Sequence, residues 1–371
     1  MSIELGVMAP ANVQPQRVLL IAPDMEPRGT SEYTVNLARE VQGRGVKVGV
    51  FCGPGLMLER LKPCDIRVET FEHLESPWFW LRQGERFQRA LDDFAPQLVH
   101  GQTVGVARVL RGVVRRVQVP VLLTVHRTPP RRMAFRALAV RLAGIIATTQ
   151  HVREELVNQC RVDKSKIVVI RNGIDVDSAA SRPMRPIFSG TVPVVGSVGP
   201  VEKARGHELF LRAASLVLRR GDRPLHFVVA GTGDQLPQLH QLAGALGLDK
   251  SLTFVSDFTS YDEVLDALDV VVQSSQVDVS GFSILEAMGH GRPVVAFNTG
   301  TACELVVDGK TGRLVPREDV EQLARAMKEL TDDPPRARRM GQAARAMVAE
   351  WFNIKNVADM MMALWSQVLS Q

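Results

Sequence analysis

Two successive runs of alternating strand and helix signals, divided by a proline-rich stretch, constrain this chain more than any other feature. Arg17–Ala22, Val46–Phe51, Leu98–His100, Val119–Val125, Gly144–Thr148 and Lys166–Ile170 are short, apolar and rich in β-branched residues, so they read as strands. A helical pattern runs from Gly29 to Val41 between the first two. Arg182-Pro183-Met184-Arg185-Pro186 then reads as a linker. After it the rhythm restarts. Thr191–Val198, His226–Ala230, Leu252–Val255, Val270–Gln273 and Pro293–Phe297 read as strands. His207–Arg219, Gln235–Leu246, Asp262–Ala267 and Ser283–Met288 read as the helices between them. Strands separated by helix-length crossovers imply parallel pairing, hence an α/β chain with two Rossmann-like, doubly wound domains facing across a cleft. At 371 residues the chain exceeds one compact core and suits two. The expected domains are 1–183 and 184–352, with 353–371 as a separate amphipathic helix.

No apolar run reaches the ~20 residues of a membrane span, and no secretory signal is visible at the N-terminus, so a cytoplasmic setting is expected. Cys52, Cys64, Cys160 and Cys303 are scattered without a Cys-x-x-Cys pair, which argues for reduced thiols and against structural zinc. Charge is uneven. Residues 1–185 carry 27 Lys/Arg against 18 Asp/Glu, and residues 186–371 carry 18 against 22. Arg82 to Arg141 alone holds twelve arginines and three acids. Such a surface attracts anions: phospholipid, nucleic acid or a pyrophosphate-linked molecule.

The segment Ser280–Leu314 carries the most chemistry. A polar loop enters a short helix bearing Glu286, a Gly-Arg-Pro turn leads to an apolar strand, and a Gly-rich turn precedes Glu304. A loop opening a helix offers backbone N–H groups and a positive dipole end to a phosphate. A carboxylate nearby, read as sitting on the first turn of that helix, suits ribose hydroxyls. The order strand, polar loop, acidic helix therefore reads as a nucleotide pocket at the carboxyl end of a parallel sheet.

The same segment resembles the donor-site signature of the GT-B glycosyltransferases of family 4, the retaining, metal-independent sugar transferases. Their pattern is Glu, seven residues, Glu-Ala-Met-Ala-x-Gly-x-Pro-Val-Val, a Gly-rich turn with Glu, then Asp-Gly-x-Thr-Gly. Glu286, Ala287, Met288, Gly291, Pro293, Val294, Val295, Glu304, Asp308, Gly309, Thr311 and Gly312 match it. Asp278 stands where the family has its first glutamate, which is held to stabilise charge at the anomeric carbon. Gly196-Ser197-Val198-Gly199 through Arg205-Gly206-His207-Glu208 resembles the family's phosphate loop, with Pro200 in place of the first cation and Arg205 in place of the second, a lysine. The resemblance covers residues 17–350 and implies that Gly199, Lys203, Arg205, Gly206, Ser283, Ile284, Leu285 and Glu286 bind the donor. It also implies that the last helix crosses back to the first domain.

In the first domain, the resemblance gives His126, at the end of Val119–Val125, a place opposite the donor sugar. Its bland alternative is a strand-end histidine satisfied locally. Gly29 corresponds to a glycine loop near the β-phosphate, with Arg28 replacing a glycine; Ser31 is equally well a helix cap. Asn172 and Gly173 match an Asn-Gly-Ile/Val-Asp string and read as a positive-φ turn near the donor. His100 is placed with them as a cleft-lining residue. The implied catalytic set is His126, Asp278 and Arg205, with no metal and no cofactor beyond a nucleoside diphosphate sugar as co-substrate. Expected partners are that nucleotide sugar and a glycan or lipid-linked acceptor, without nucleic acid. Arg-rich segments 78–89 and 131–141 are candidates for peripheral contact with an anionic membrane. Two alternatives stay open: a weak or inactive relative that binds nucleotide sugar, and an epimerase on the same scaffold.

Overall fold

A computed structural model describes residues 14–129, 131–177, 185–220, 223–258, 261–277 and 280–371. The chain forms two compact units, Met1–Gly173 with Ile354–Gln371, and Ile174–Asn353.

The first unit is a seven-stranded parallel sheet in the order β3-β2-β1-β4-β5-β6-β7. Its strands are β1 (Arg17–Ala22), β2 (Lys47–Cys52), β3 (Arg67–Thr70), β4 (Leu98–Gly101), β5 (Val121–Val125), β6 (Gly144–Ala147) and β7 (Ile167–Val169). Its helices are α1 (Gly29–Gly43), α2 (Phe79–Phe94), α3 (Ala107–Val113), α4 (Arg132–Ala139), α5 (Gln150–Asn158) and, from the chain's end, α13 (Ile354–Leu369). The inner strands β1, β4 and β5 are buried almost throughout, as expected where helices cover both faces of a parallel sheet. Leu19, Ile21, Phe51, Val99 and Leu123 pack with Phe87 and Phe94 of α2. Each such side chain contributes roughly 1.5–3 kcal/mol by leaving water.

The second unit is a six-stranded sheet, β10-β9-β8-β11-β12-β13, and every pairing is parallel. Its strands are β8 (Val194–Val198), β9 (His226–Ala230), β10 (Leu252–Val255), β11 (Val270–Gln273), β12 (Val294–Phe297) and β13 (Gly312–Val315). Its helices are α6 (His207–Arg220), α7 (Leu236–Leu246), α8 (Tyr261–Ala267), α9 (Phe282–Gly289), α10 (Ala302–Leu305), α11 (Val320–Asp332) and α12 (Pro334–Trp351). The boundary with the first unit lies upstream of the proline-rich stretch. Ile174 N–H donates to the Phe352 carbonyl at 2.9 Å and Ile174 bridges to Asn353, which ties the start of this unit to its end. Arg182, Pro183 and Met184 lie outside the described residues.

Several local expectations shift. The strand expected from Val119 starts at Val121, after Pro120, and the one expected from Thr191 starts at Val194. Ser31 is not a cap: Arg28 holds the N-cap position of α1, and the Ser31 hydroxyl donates to the Asp24 carbonyl at 3.3 Å. Gly173 has no positive φ. Its smallness serves packing, because a Cβ there would sit 2.8 Å from Val357 Cγ2 and 3.0 Å from Ile354 Cα, at the start of α13. That helix buries Val357, Met361 and Trp365, and Arg44 at the end of α1 donates to its Lys355 carbonyl at 3.0 Å.

Candidate active site

In an open parallel sheet, ligands bind beyond the carboxyl ends of the strands where the strand order reverses. In the second unit this place lies between β8 and β11. The loop after β8 is the glycine string of the sequence. Gly199 has φ +135°, and the Arg205 guanidinium lies across its open side, 4.0 Å from where a Cβ would be. Gly206 has φ +67°, and a Cβ on it would strike the Ser274 carbonyl oxygen at 2.0 Å. The loop after β11 closes on this one: the Ser274 hydroxyl donates to the Gly206 carbonyl at 2.8 Å, and Gln276 N–H donates to the Ala204 carbonyl at 3.1 Å.

His207 fastens the loop from inside. It is buried, its Nε2–H donates to the Pro200 carbonyl at 3.2 Å, and its Nδ1 accepts from the Ser197 hydroxyl at 3.1 Å. Burial lowers its pKa to about 4; the Pro200 bond opposes this and the neighbouring Arg205 charge adds to it. His207 therefore acts as a neutral strut. Arg205 is half-buried and Lys203 is exposed.

A third loop belongs here that the motif reading missed. Gly231-Thr232-Gly233 follows β9, and Val201 N–H donates to the Thr232 carbonyl at 2.8 Å. A Cβ on Gly231 would lie 1.9 Å from the Gly199 carbonyl oxygen. The signal available in the sequence was a Gly-x-Gly directly after the apolar run His226–Ala230. Three strand-end loops thus form one continuous backbone surface around Gly199 and Arg205.

Helix α9 opens beside it from Gly281, at φ +75°. Because the helix starts at Phe282, Glu286 lies in its second turn rather than its first, and it is half-buried. Ile284 and Leu285 turn their side chains into the core, and their N–H groups donate to the Gly281 carbonyl at 3.1 and 3.0 Å. Their contribution is to shape the helix start, while Ser283, half-buried and 3.5 Å from Gln273 Oε1, faces the loops. Glu304 is half-buried on α10. Asp278 lies outside the described residues. Asp308 and Thr311 build a turn: Asp308 Oδ1 accepts from Leu314 N–H at 2.9 Å, and Thr311 Oγ1 accepts from Val307 N–H at 2.9 Å.

Arg292 of the Gly-Arg-Pro turn is 2% exposed and donates to the carbonyls of Leu265, Arg185 and Asp266 at 2.9, 2.9 and 3.1 Å. It locks the end of α9 onto α8. Arg292→Met leaves those buried acceptors unmatched, so a stability loss of about 3–5 kcal/mol is expected. Thermal denaturation of the variant checks this; an unchanged melting temperature would remove the locking role.

The first unit has its own reversal point, between β1 and β4. Gly29 opens α1 there, and Arg28 is turned onto Asp24 through Nε–Oδ1 at 3.1 Å. His126 directly follows β5 and is 4% exposed. Its Nε2–H donates to the Gln102 carbonyl at 2.9 Å, and the Tyr33 ring meets it edge-on at 5.8 Å. An ordinary imidazole titrates near 6.5. Burial instead lowers it to about 4, against the opposing bonds to Gln102 and the Asn172 side chain. His100 is wholly buried rather than lining a surface. Its Nε2 bonds Thr124 Oγ1 at 2.8 Å, Trp365 of α13 packs edge-on at 5.8 Å, and burial with the nearby His126 lowers its pKa to about 3. The aromatic cluster at the start of α2 is also mostly interior. Phe79 is buried, and Trp80 packs over Gly112 with the Arg116 guanidinium 4.1 Å from its ring; only Trp78 and Leu81 stand out in solvent. No disulfide joins any of the four cysteines.

Residues 185–347 match the family described as glycosyl transferases group 1, and residues 27–178 match glycosyltransferase family 4. An alpha-D-kanosaminyltransferase from Streptomyces kanamyceticus is 29% identical over 250 residues, 65% of this chain and 64% of that protein. A D-inositol 3-phosphate glycosyltransferase from Kribbella flavida is 30% identical over 283 residues, 72% of this chain and 64% of that protein. The matched stretch thus spans a little under two thirds of each of these relatives. The crystal structure of HepE from Anabaena in complex with UDP-glucose shares the fold, with a TM-score of 0.80 at 20% identity over 93% of this chain and 98% of that one. With one family match on each unit, this chain belongs to the group 1, family 4 glycosyltransferases of GT-B fold.

Proposed function

We propose that this protein is a retaining, metal-independent glycosyltransferase that moves a sugar from a nucleoside diphosphate sugar to a glycan or lipid-linked acceptor. The observation that carries the reading is the Arg205 guanidinium held over Gly199 at the strand-order reversal of the second unit. As the bond between the anomeric carbon and the diphosphate breaks, its electron pair goes to the departing diphosphate. Arg205, Lys203 and loop N–H groups supply fixed positive charge there, in the part a metal ion plays elsewhere. The acceptor oxygen forms the new bond on the same side of the sugar and gives up its proton to the departing diphosphate. His126, its Nε2–H held by the Gln102 carbonyl, takes part as a neutral group, since its low pKa leaves it uncharged near pH 7.

HepE was solved with UDP-glucose, which makes UDP-sugars the first donors to try. No helix among the described residues is long and apolar enough to cross a membrane, and a cytoplasmic protein working at the inner membrane face is the setting proposed. The test is a screen of UDP-, GDP- and ADP-sugars by thermal shift, followed by assays for transfer and for donor hydrolysis. One class of donor is expected to raise the melting temperature and to be turned over. No shift with any donor would refute the donor site. A second reading, a weak or inactive relative, is favoured by Pro200: it brings no charge, and its carbonyl is taken by His207. Binding without turnover in the same screen would select that reading.

A further inference from the structure

We infer that the outer face of α4 is a docking surface for an anionic phospholipid bilayer. The inference rests on the lipid-linked form of the acceptor proposed above. Phe135, Leu138 and Ala139 anchor the inner side of the helix in the core. On the outer side, Met133 is 88% and Val140 70% exposed. They are two turns apart, so they share a face, with Arg136 and Ala137 between them. Arg131, Arg132, Arg136 and Arg141 are all exposed around these two apolar side chains. Among the described residues, the ion pairs of the neighbouring basic region belong to Arg67, Arg86 and Arg89, with Glu69, Glu85 and Asp93; none engages an arginine of α4. Arg111 of α3 donates to the Ala134 carbonyl, which carries the positive surface onto the adjacent helix, where Arg115 is exposed just beyond its end.

This combination selects a bilayer over other anions. A nucleic acid or acidic peptide would answer the arginines but leave Met133 and Val140 in water. A bilayer answers both: its headgroups take the guanidinium groups and its acyl boundary takes the apolar tips. The surface is also in a useful place. Only residues 127–131 separate His126 at the end of β5 from Arg132 at the start of α4. An acceptor anchored in the bilayer would therefore present its head near the strand end that carries His126. The segment 78–89 also leaves Trp78 and Leu81 in solvent, but its Arg86 and Arg89 are paired with Glu69 and Glu85, so it offers anionic headgroups less unpaired positive charge than α4 does.

Co-sedimentation of the full chain with vesicles tests this. Binding is expected to phosphatidylcholine vesicles containing phosphatidylglycerol and not to phosphatidylcholine alone, and it should weaken as salt rises. Arg132→Ala is expected to lower partitioning about fivefold, from the worth of one arginine near such a surface. Met133→Ser, which removes the apolar tip without adding charge, should lower it by a similar factor while leaving heparin binding largely intact. Both sites are exposed, so circular dichroism should be unchanged. Equal binding to the two vesicle types, or a Met133→Ser variant that partitions normally, would overturn the inference. Thermal shift with sugar nucleotide in solution, run on the same variants, should match the parent protein. Loss of that shift in the parent would instead count against the donor site, so the two failures are distinguishable.

Discussion

Arg205→Ala is expected to lower sugar transfer by on the order of 10²–10³-fold with little change in melting temperature. The size follows from removing one preorganised charge from the place where negative charge develops. The guanidinium sits 4.0 Å from the open side of Gly199, on a loop whose shape is held by other groups: Ser274 on Gly206, and His207 on Pro200 and Ser197. Truncation should therefore leave that loop standing. Arg205→Lys keeps the charge but loses the planar fork, and a loss of about tenfold is expected. Lys203 is exposed, so Lys203→Ala should cost less than Arg205→Ala. Initial rates of nucleoside diphosphate release and of product formation measure all three. Unchanged rates in Arg205→Ala would remove this residue from the mechanism.

Acidification from pH 7 to about 4.5 is expected to destabilise the first unit more than the second. His100 and His126 are buried in the first unit with pKa values lowered to about 3 and about 4, and His207 is buried in the second at about 4. An unfolded histidine titrates near 6.5. Between roughly pH 6.5 and 4 the unfolded chain thus binds protons that the folded chain refuses, so stability falls as pH falls. At pH 4.5 each buried histidine costs on the order of 2–3 kcal/mol. Two in one unit approach the lower end of a domain's whole stability, 5–15 kcal/mol. Calorimetry at pH 7 and 4.5 should show two transitions moving by unequal amounts, and His100→Asn should reduce the larger movement. A pH-independent thermogram would contradict the placement of these rings.

Much of the architecture was legible because a buried parallel strand is almost wholly apolar. β1, β9 and β11 have the bounds their apolar runs suggest. β3 (Arg67–Thr70) was not read as a strand, since it is half-exposed and carries Arg, Glu and Thr among its four residues. β13 was hidden inside the Asp-Gly-Lys-Thr-Gly turn string, whose glycines suggest a loop more strongly than Arg313-Leu314-Val315 suggests a strand. The glycine string around Gly199 and Gly206 was visible because positive φ and close backbone approach both exclude side chains, and that leaves a mark in composition.

The chain's own order of residues was enough for two doubly wound sheets and for the glycine loop after β8, because both depend on neighbours near in sequence: apolar period, glycine and a following helix start. Only the folded arrangement decided that His100 is an interior group and that Gly173 makes room for α13. It also decided that Gly231 closes on Gly199 and that the α2 aromatics belong to the core while Met133 stays in water. These outcomes depend on which distant segments meet. Burial and backbone clearance are properties of that meeting, and a local pattern does not contain them.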